Sequence, residues 1–126
     1  MAVIIVSLIY FAIHFFWYFP FAFGNLWLKL VGKESEPKSK IIRDTIIMIP
    51  TSFITVLIID ITMILTSITE IGPALLLNVL LWLGFVLTIG INQTNFNDRG
   101  LKLFLLEYSV YLICFLISGT ILASWR

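Results

Sequence analysis

Three ionisable side chains stand inside long apolar runs of this sequence: His14, Asp60 and Glu107. A charge in hydrocarbon is costly, so such residues turn toward other protein groups, and histidine with carboxylates is the material of proton or cation relays. Helical spacing gives each of them polar company. Ser7, Tyr10, His14 and Tyr18 share one face, and Glu107, Tyr111, Cys114 and Ser118 share another. Asn78 falls in line with Trp82, Phe85 and Ile89. Thr55, Thr62, Thr66 and Thr69 form a hydroxyl stripe, with Asp60 on nearly the opposite side. At about 1.5 Å of rise per residue, His14 and Glu107 fall at one depth and Asp60 and Asn78 at another. Two polar layers do not make a continuous path. The plainer reading is that each group is satisfied by a neighbouring helix and contributes packing specificity. Asp60 is the sharpest anomaly: it is either protonated, hydrogen-bonded to Asn78 or a hydroxyl, or paired with another subunit.

Other chemistries find no residues. No three metal ligands occur at ligand spacing, no nucleophile stands beside a base, and no phosphate loop is present, so neither a metal nor a cofactor is expected. The single cysteine, Cys114, lies in an apolar run and reads as a small buried residue. A net charge of +1 gives no basic surface for nucleic acid. The chain is 60% hydrophobic and 12% charged, against about 45–50% and about 25% in soluble domains. Those departures point to an all-α integral membrane protein, one small bundle over residues 1–126.

The charges lie in islands, and the apolar runs between them predict four transmembrane helices at about residues 2–19, 45–67, 73–91 and 101–124. The first run continues past Pro20 and Gly24 to Val31, too long for one straight span. Proline breaks or kinks a helix, and breaks favour the interface, where tryptophan and tyrosine also gather. A short interfacial helix at about residues 21–31 is therefore expected, ending at Gly32. Trp17, Tyr18, Phe21, Phe23 and Trp27 are its interfacial anchors and candidate docking residues. Gly84 and Thr88 have the small-xxx-small spacing of a close helix contact, and Asn97 or Asp98 suits the N-cap of the last helix. The first loop holds Lys29, Lys33, Lys38, Lys40 and Arg43, the second none, and the third Arg99 and Lys102. Cytoplasmic loops carry the excess of Lys and Arg. The expected topology is a multi-pass cell-membrane protein with loops one and three cytoplasmic and both termini outside.

The stretch WYFPFAFGNLWLKLVG resembles the Trp-Tyr-x-Pro…Phe-Gly-x-x-Trp…Gly signature of an uncharacterised membrane family, domain of unknown function 1761. LLWLGFVL and FNDRGLKLFLLEYSVYLICFLISGTILASWR resemble the third and fourth helices of that family. Trp17, Tyr18, Pro20, Phe23, Gly24, Trp27 and Gly32 match the first motif. Trp82, Gly84, Phe85, Arg99, Lys102 and Phe104 match the second. Residues 33–72 fall in a variable region. The resemblance implies a small four-helix membrane protein of prokaryotic type and no known activity.

Two functions fit. One is a non-catalytic accessory or structural subunit of a larger membrane complex, partnered by the bilayer and by other membrane subunits. The other is a small homo-oligomeric transporter or ion- or proton-conducting protein using His14, Asp60 and Glu107. With almost no extramembrane mass, the chain is not expected to be an enzyme on its own.

Overall fold

The computed structural model describes residues 1–125. Five helices account for nearly all of them: α1 (Ala2–Trp17), α2 (Gly24–Val31), α3 (Lys38–Leu65), α4 (Ile71–Phe96) and α5 (Leu101–Trp125). By length and composition α3, α4 and α5 can each cross a membrane, which makes this a membrane protein. The first helix is apolar but has only 16 residues, about 24 Å at the α-helical rise, short of the roughly 30 Å hydrocarbon core.

The helix boundaries move from the expected ones for local reasons. The second long helix begins at Lys38, after Pro37 at the N-cap position, well before residue 45. Its first turns are polar but tied along one side, Lys40 Nζ lying 2.7 Å from Asp44 Oδ2. Pro50 therefore sits deep inside the helix rather than near its start. The short second helix starts at Gly24 rather than residue 21, because residues Tyr18 to Phe23 are wound into turns: Phe23 and Gly24 donate back to Trp17 and Phe19 carbonyls. A β-carbon on Gly24 would lie 2.1 Å from the Tyr18 carbonyl oxygen, so only glycine fits this elbow. Gly32 closes α2 in the left-handed conformation, φ 77°. Asn97 does not cap α5. It ends α4 instead, and Asp98 (φ 52°) and Gly100 (φ 78°) carry the turn into Leu101.

The helices pack as a curved row. The first helix lies between α3 and α5, and α5 lies between α1 and α4, while α3 touches α4 only lightly. The shared core draws Val6 and Tyr10 from α1, Val56, Ile59 and Met63 from α3, Ala74 from α4, and Val110, Cys114, Phe115 and Leu122 from α5. The two helices at the ends of the row carry the most exposed apolar side chains, Ile46, Ile54 and Ile58 on α3 and Leu76, Leu80 and Phe85 on α4 among them.

In α4 the six residues Trp82–Leu87 form a π-helical segment. A π turn takes up one extra residue, so the inward face after it shifts by one. Val86 packs on the core and Gly90 is buried, while Phe85 is 65% and Ile89 56% exposed. The expected face through Asn78, Trp82, Phe85 and Ile89 therefore holds only as far as Trp82. The expected close contact at Gly84 and Thr88 fails for the same reason: nothing lies within 4 Å of a β-carbon at Gly84, and Thr88 hydrogen-bonds back to the Gly84 carbonyl at 2.7 Å. The close approaches are at Gly90, against the Tyr108 ring, and at Gly119, against Asn78.

Candidate functional site

Three tryptophans from three different elements converge on one turn of α5. Trp17, at the end of α1, donates its indole N–H to the Leu106 carbonyl at 2.9 Å. Trp27, in α2, donates to Glu107 Oε2 at 3.0 Å. Trp82, at the start of the π segment, donates to the Tyr108 carbonyl at 3.0 Å. Indole is a donor on a large apolar body, so each ring packs in the bundle while its one polar atom is satisfied. The receiving residues are consecutive and point around the helix, so the three donors grip α5 from different sides.

Glu107 is the hub. Its Oε2 also accepts from Arg99 Nη2 at 2.9 Å, and the pair is only partly exposed, Arg99 33% and Glu107 17%. A carboxylate this deep needs compensation. The guanidinium supplies charge, and the indole supplies a charge-assisted hydrogen bond. The pairing of Arg99 with Glu107 is not among the sequence expectations; its signal is an arginine inside the Asp98–Gly100 turn, eight residues before Glu107.

His14 does not reach Glu107 directly. Its ring lies 4.9 Å from the Tyr111 ring and 5.9 Å from that of Tyr18, and Tyr18 meets Trp27 edge-on at 5.9 Å. The inner polar group is thus an aromatic sequence, His14 beside Tyr111 and Tyr18 beside Trp27, closing on Glu107. One turn further along, Cys114 Sγ lies 3.8 Å from the Tyr10 carbonyl. The faces read on α1 and α5 therefore meet each other, antiparallel.

The outer residues lie apart from this group. Asp60 is half-buried and lines a small cavity of about 220 Å³ with Met1, Ala2, Val3, Leu122 and Trp125. Asn78 is fully buried and donates to the Ala74 carbonyl of its own helix at 2.8 Å. Its amide sits where a Gly119 β-carbon would be, 2.3 Å from Nδ2, and its Oδ1 is buried with no partner among the described residues. The hydroxyl stripe is satisfied locally: Thr55, Thr62 and Thr66 bond carbonyls of their own helix.

Of the elbow aromatics, Trp17 packs tilted against Phe23, ring centroids 4.4 Å apart, and Trp17 and Trp27 are spent on α5. Phe21 alone is largely bare, 77% exposed. Above the elbow a cavity of about 550 Å³ opens between α1, α2 and the start of α3. Phe15, Tyr18, Phe19 and Trp27 form part of its wall, and Glu36, Lys40, Asp44 and Glu107 bring charge to it. Among the described residues no group of three His, Cys, Asp or Glu could hold a metal ion.

Apolar helices in a row, pinned at one end by indoles and an ion pair, define a helical integral membrane protein. The chain belongs to the family described as protein of unknown function DUF1761, whose profile matches residues 1–123. No curated protein and no solved structure matches it.

Proposed function

We propose that the chain is a non-catalytic accessory or structural subunit of a larger membrane protein complex. The carrying observation is the open row: α3 and α4 end the layer, each packed on one side, so the chain presents two long apolar flanks. Lipid can cover such flanks, but in a membrane the specificity of helix association comes from shape and polar contacts rather than from apolar area. A row with two free ends is built to be extended by further helices. His14 and Glu107 gather at the elbow end while Asp60 and Asn78 lie apart from them, which weighs against the transporter or proton-conducting reading for a single chain.

In this reading the protein crosses the cell membrane four times. The first helix completes its crossing through the Tyr18–Phe23 turns, with the termini outside and loops one and three in the cytoplasm. The lysines and arginines of the first loop support that orientation.

The test is purification from native membranes in mild detergent followed by intact-complex mass spectrometry. A fixed stoichiometry with one or more different polypeptides is the expected result. A homo-oligomer that moves protons or cations in liposomes, and stops doing so in Asp60→Asn, would replace this reading with the transporter.

A further inference from the structure

We propose that the cavity above the elbow binds the ammonium group of an amphiphile. The inference goes beyond the subunit reading and stands or falls separately from it. Its volume, about 550 Å³, lies within the range of small-molecule sites, which are mostly apolar with a few placed polar groups. Two observations set the chemistry. First, four aromatic side chains (Phe15, Tyr18, Phe19 and Trp27) line it together with carboxylates, and aromatic faces beside a negative charge attract ammonium groups. Second, acceptors are left over in its wall. Both hydrogen bonds to Glu107 use Oε2, and Oε1 takes none among the described residues. Glu36 is nine-tenths buried, at 10% side-chain exposure, and its Oε2 is buried with no partner among the described residues.

Among the described residues the one cation in the wall, Lys40, is already engaged. Lys40 Nζ lies 2.7 Å from Asp44 Oδ2 and 3.7 Å from Glu36 Oε1. Each wall carboxylate is also paired with a cation, Glu36 with Lys33 and Lys40, Asp44 with Lys40 and Arg43, and Glu107 with Arg99, so an anionic head would find no open cation and would meet the remaining carboxylate oxygens. An ammonium head would meet open carboxylate oxygens and π faces. Ile41, Met48 and Leu28 continue the wall and can take an alkyl chain. The shared chemistry is an alkylammonium, whether the headgroup of a choline or ethanolamine lipid or a free amphiphilic amine.

The test uses the full chain in maltoside micelles, labelled with 5-fluorotryptophan and followed by fluorine NMR. Dodecyltrimethylammonium and dodecyl sulfate are titrated at equal mole fraction. The expected result is a saturable shift of the Trp27 resonance with the cation and none with the sulfate. Thr45→Phe, which fills the cavity from α3, should weaken the response at least tenfold while leaving the Trp17 and Trp82 resonances in place, and that invariance shows the fold is intact. Glu107→Gln should weaken it as well. Equal responses to both detergents, no response to the cation, or an undiminished response in Thr45→Phe would overturn the proposal. Phosphatidylcholine and phosphatidylglycerol of the same chains are then added as competitors. Competition by phosphatidylcholine alone assigns the lipid headgroup, competition by neither assigns a free amine, and competition by both overturns the ammonium preference.

Discussion

Trp27 and Glu107 stand 80 residues apart in sequence and 3.0 Å apart in space, the indole N–H donating to the carboxylate. This bond fastens the short helix α2 to the last helix, α5. With Arg99 on the same oxygen, it turns a carboxylate that would be costly in the membrane into the fixed point of the elbow. The two variants of Glu107 should therefore differ sharply. Glu107→Gln keeps an acceptor for the indole and loses the ion pair, costing about 1–2 kcal/mol. Glu107→Leu leaves Arg99 and Trp27 with nothing to bond, costing about 3 kcal/mol or more. Reversible unfolding in mixed micelles measures both, and equal losses would show that the carboxylate is not the hub.

The glycines divide by what faces them. A β-carbon at Gly119 would lie 2.3 Å from Asn78 Nδ2, and Asn78 is fully buried with nowhere to retreat. Gly119→Ala should destabilise by about 1–3 kcal/mol, as overpacking does. Adding Asn78→Ala should recover part of the loss, by removing the side chain that the new methyl strikes. Gly84→Ala meets open space and should be neutral or slightly stabilising, through helix propensity. Thermal melts of the three variants decide this, and a larger loss at Gly84 than at Gly119 would contradict the packing described.

Much of this arrangement was legible in the sequence. The proline, glycine and tryptophans of residues 17–32 mark the elbow, while the first charge island hides the start of α3, which begins at Lys38 within it. The faces of α1 and α5 that carry His14, Tyr10, Tyr111 and Cys114 meet because both helices are regular there. What was missed came from departures from regularity or from pairing across the fold. The face of α4 was extrapolated at the α-helical period through Trp82–Leu87, where a π turn shifts it by one residue. Gly84 with Thr88 has the small-xxx-small spacing, but so do Gly90 with Thr94 and Gly119 with Ala123; spacing alone does not tell the close approaches at Gly90 and Gly119 from the open site at Gly84. The three indole bonds to Leu106, Glu107 and Tyr108 could not be read from sequence, since two of them end on backbone carbonyls.

The π segment supplies its own prediction. Deleting Gly84 removes one residue from a turn that holds one too many, so α4 can become a regular α-helix. Trp82 and Gly90 then keep their inward positions, and the protein should remain folded with its Trp82 bond to Tyr108. Inserting an alanine after Leu77 instead rotates Asn78 off Gly119 and should unfold it. Near-ultraviolet circular dichroism and melting of the two variants separate the outcomes. Collapse of the deletion variant would mean that the wide turn itself is required.

The native cysteine offers a final check that needs no new residue. Cys114 is fully buried, with Sγ 3.8 Å from the Tyr10 carbonyl in the contact between α1 and α5. A thiol without access to solvent reacts slowly with alkylating reagents. In folded protein, maleimide labelling should stay near background and rise to one label per chain after denaturation. Because Cys114 reports the α1–α5 seam, Trp17→Ala should speed its labelling in the native state by loosening the end of that seam. Phe21→Ala, at an exposed position on the elbow, should leave the rate unchanged. Rapid labelling of the unmodified chain would mean that α1 does not stay packed on α5.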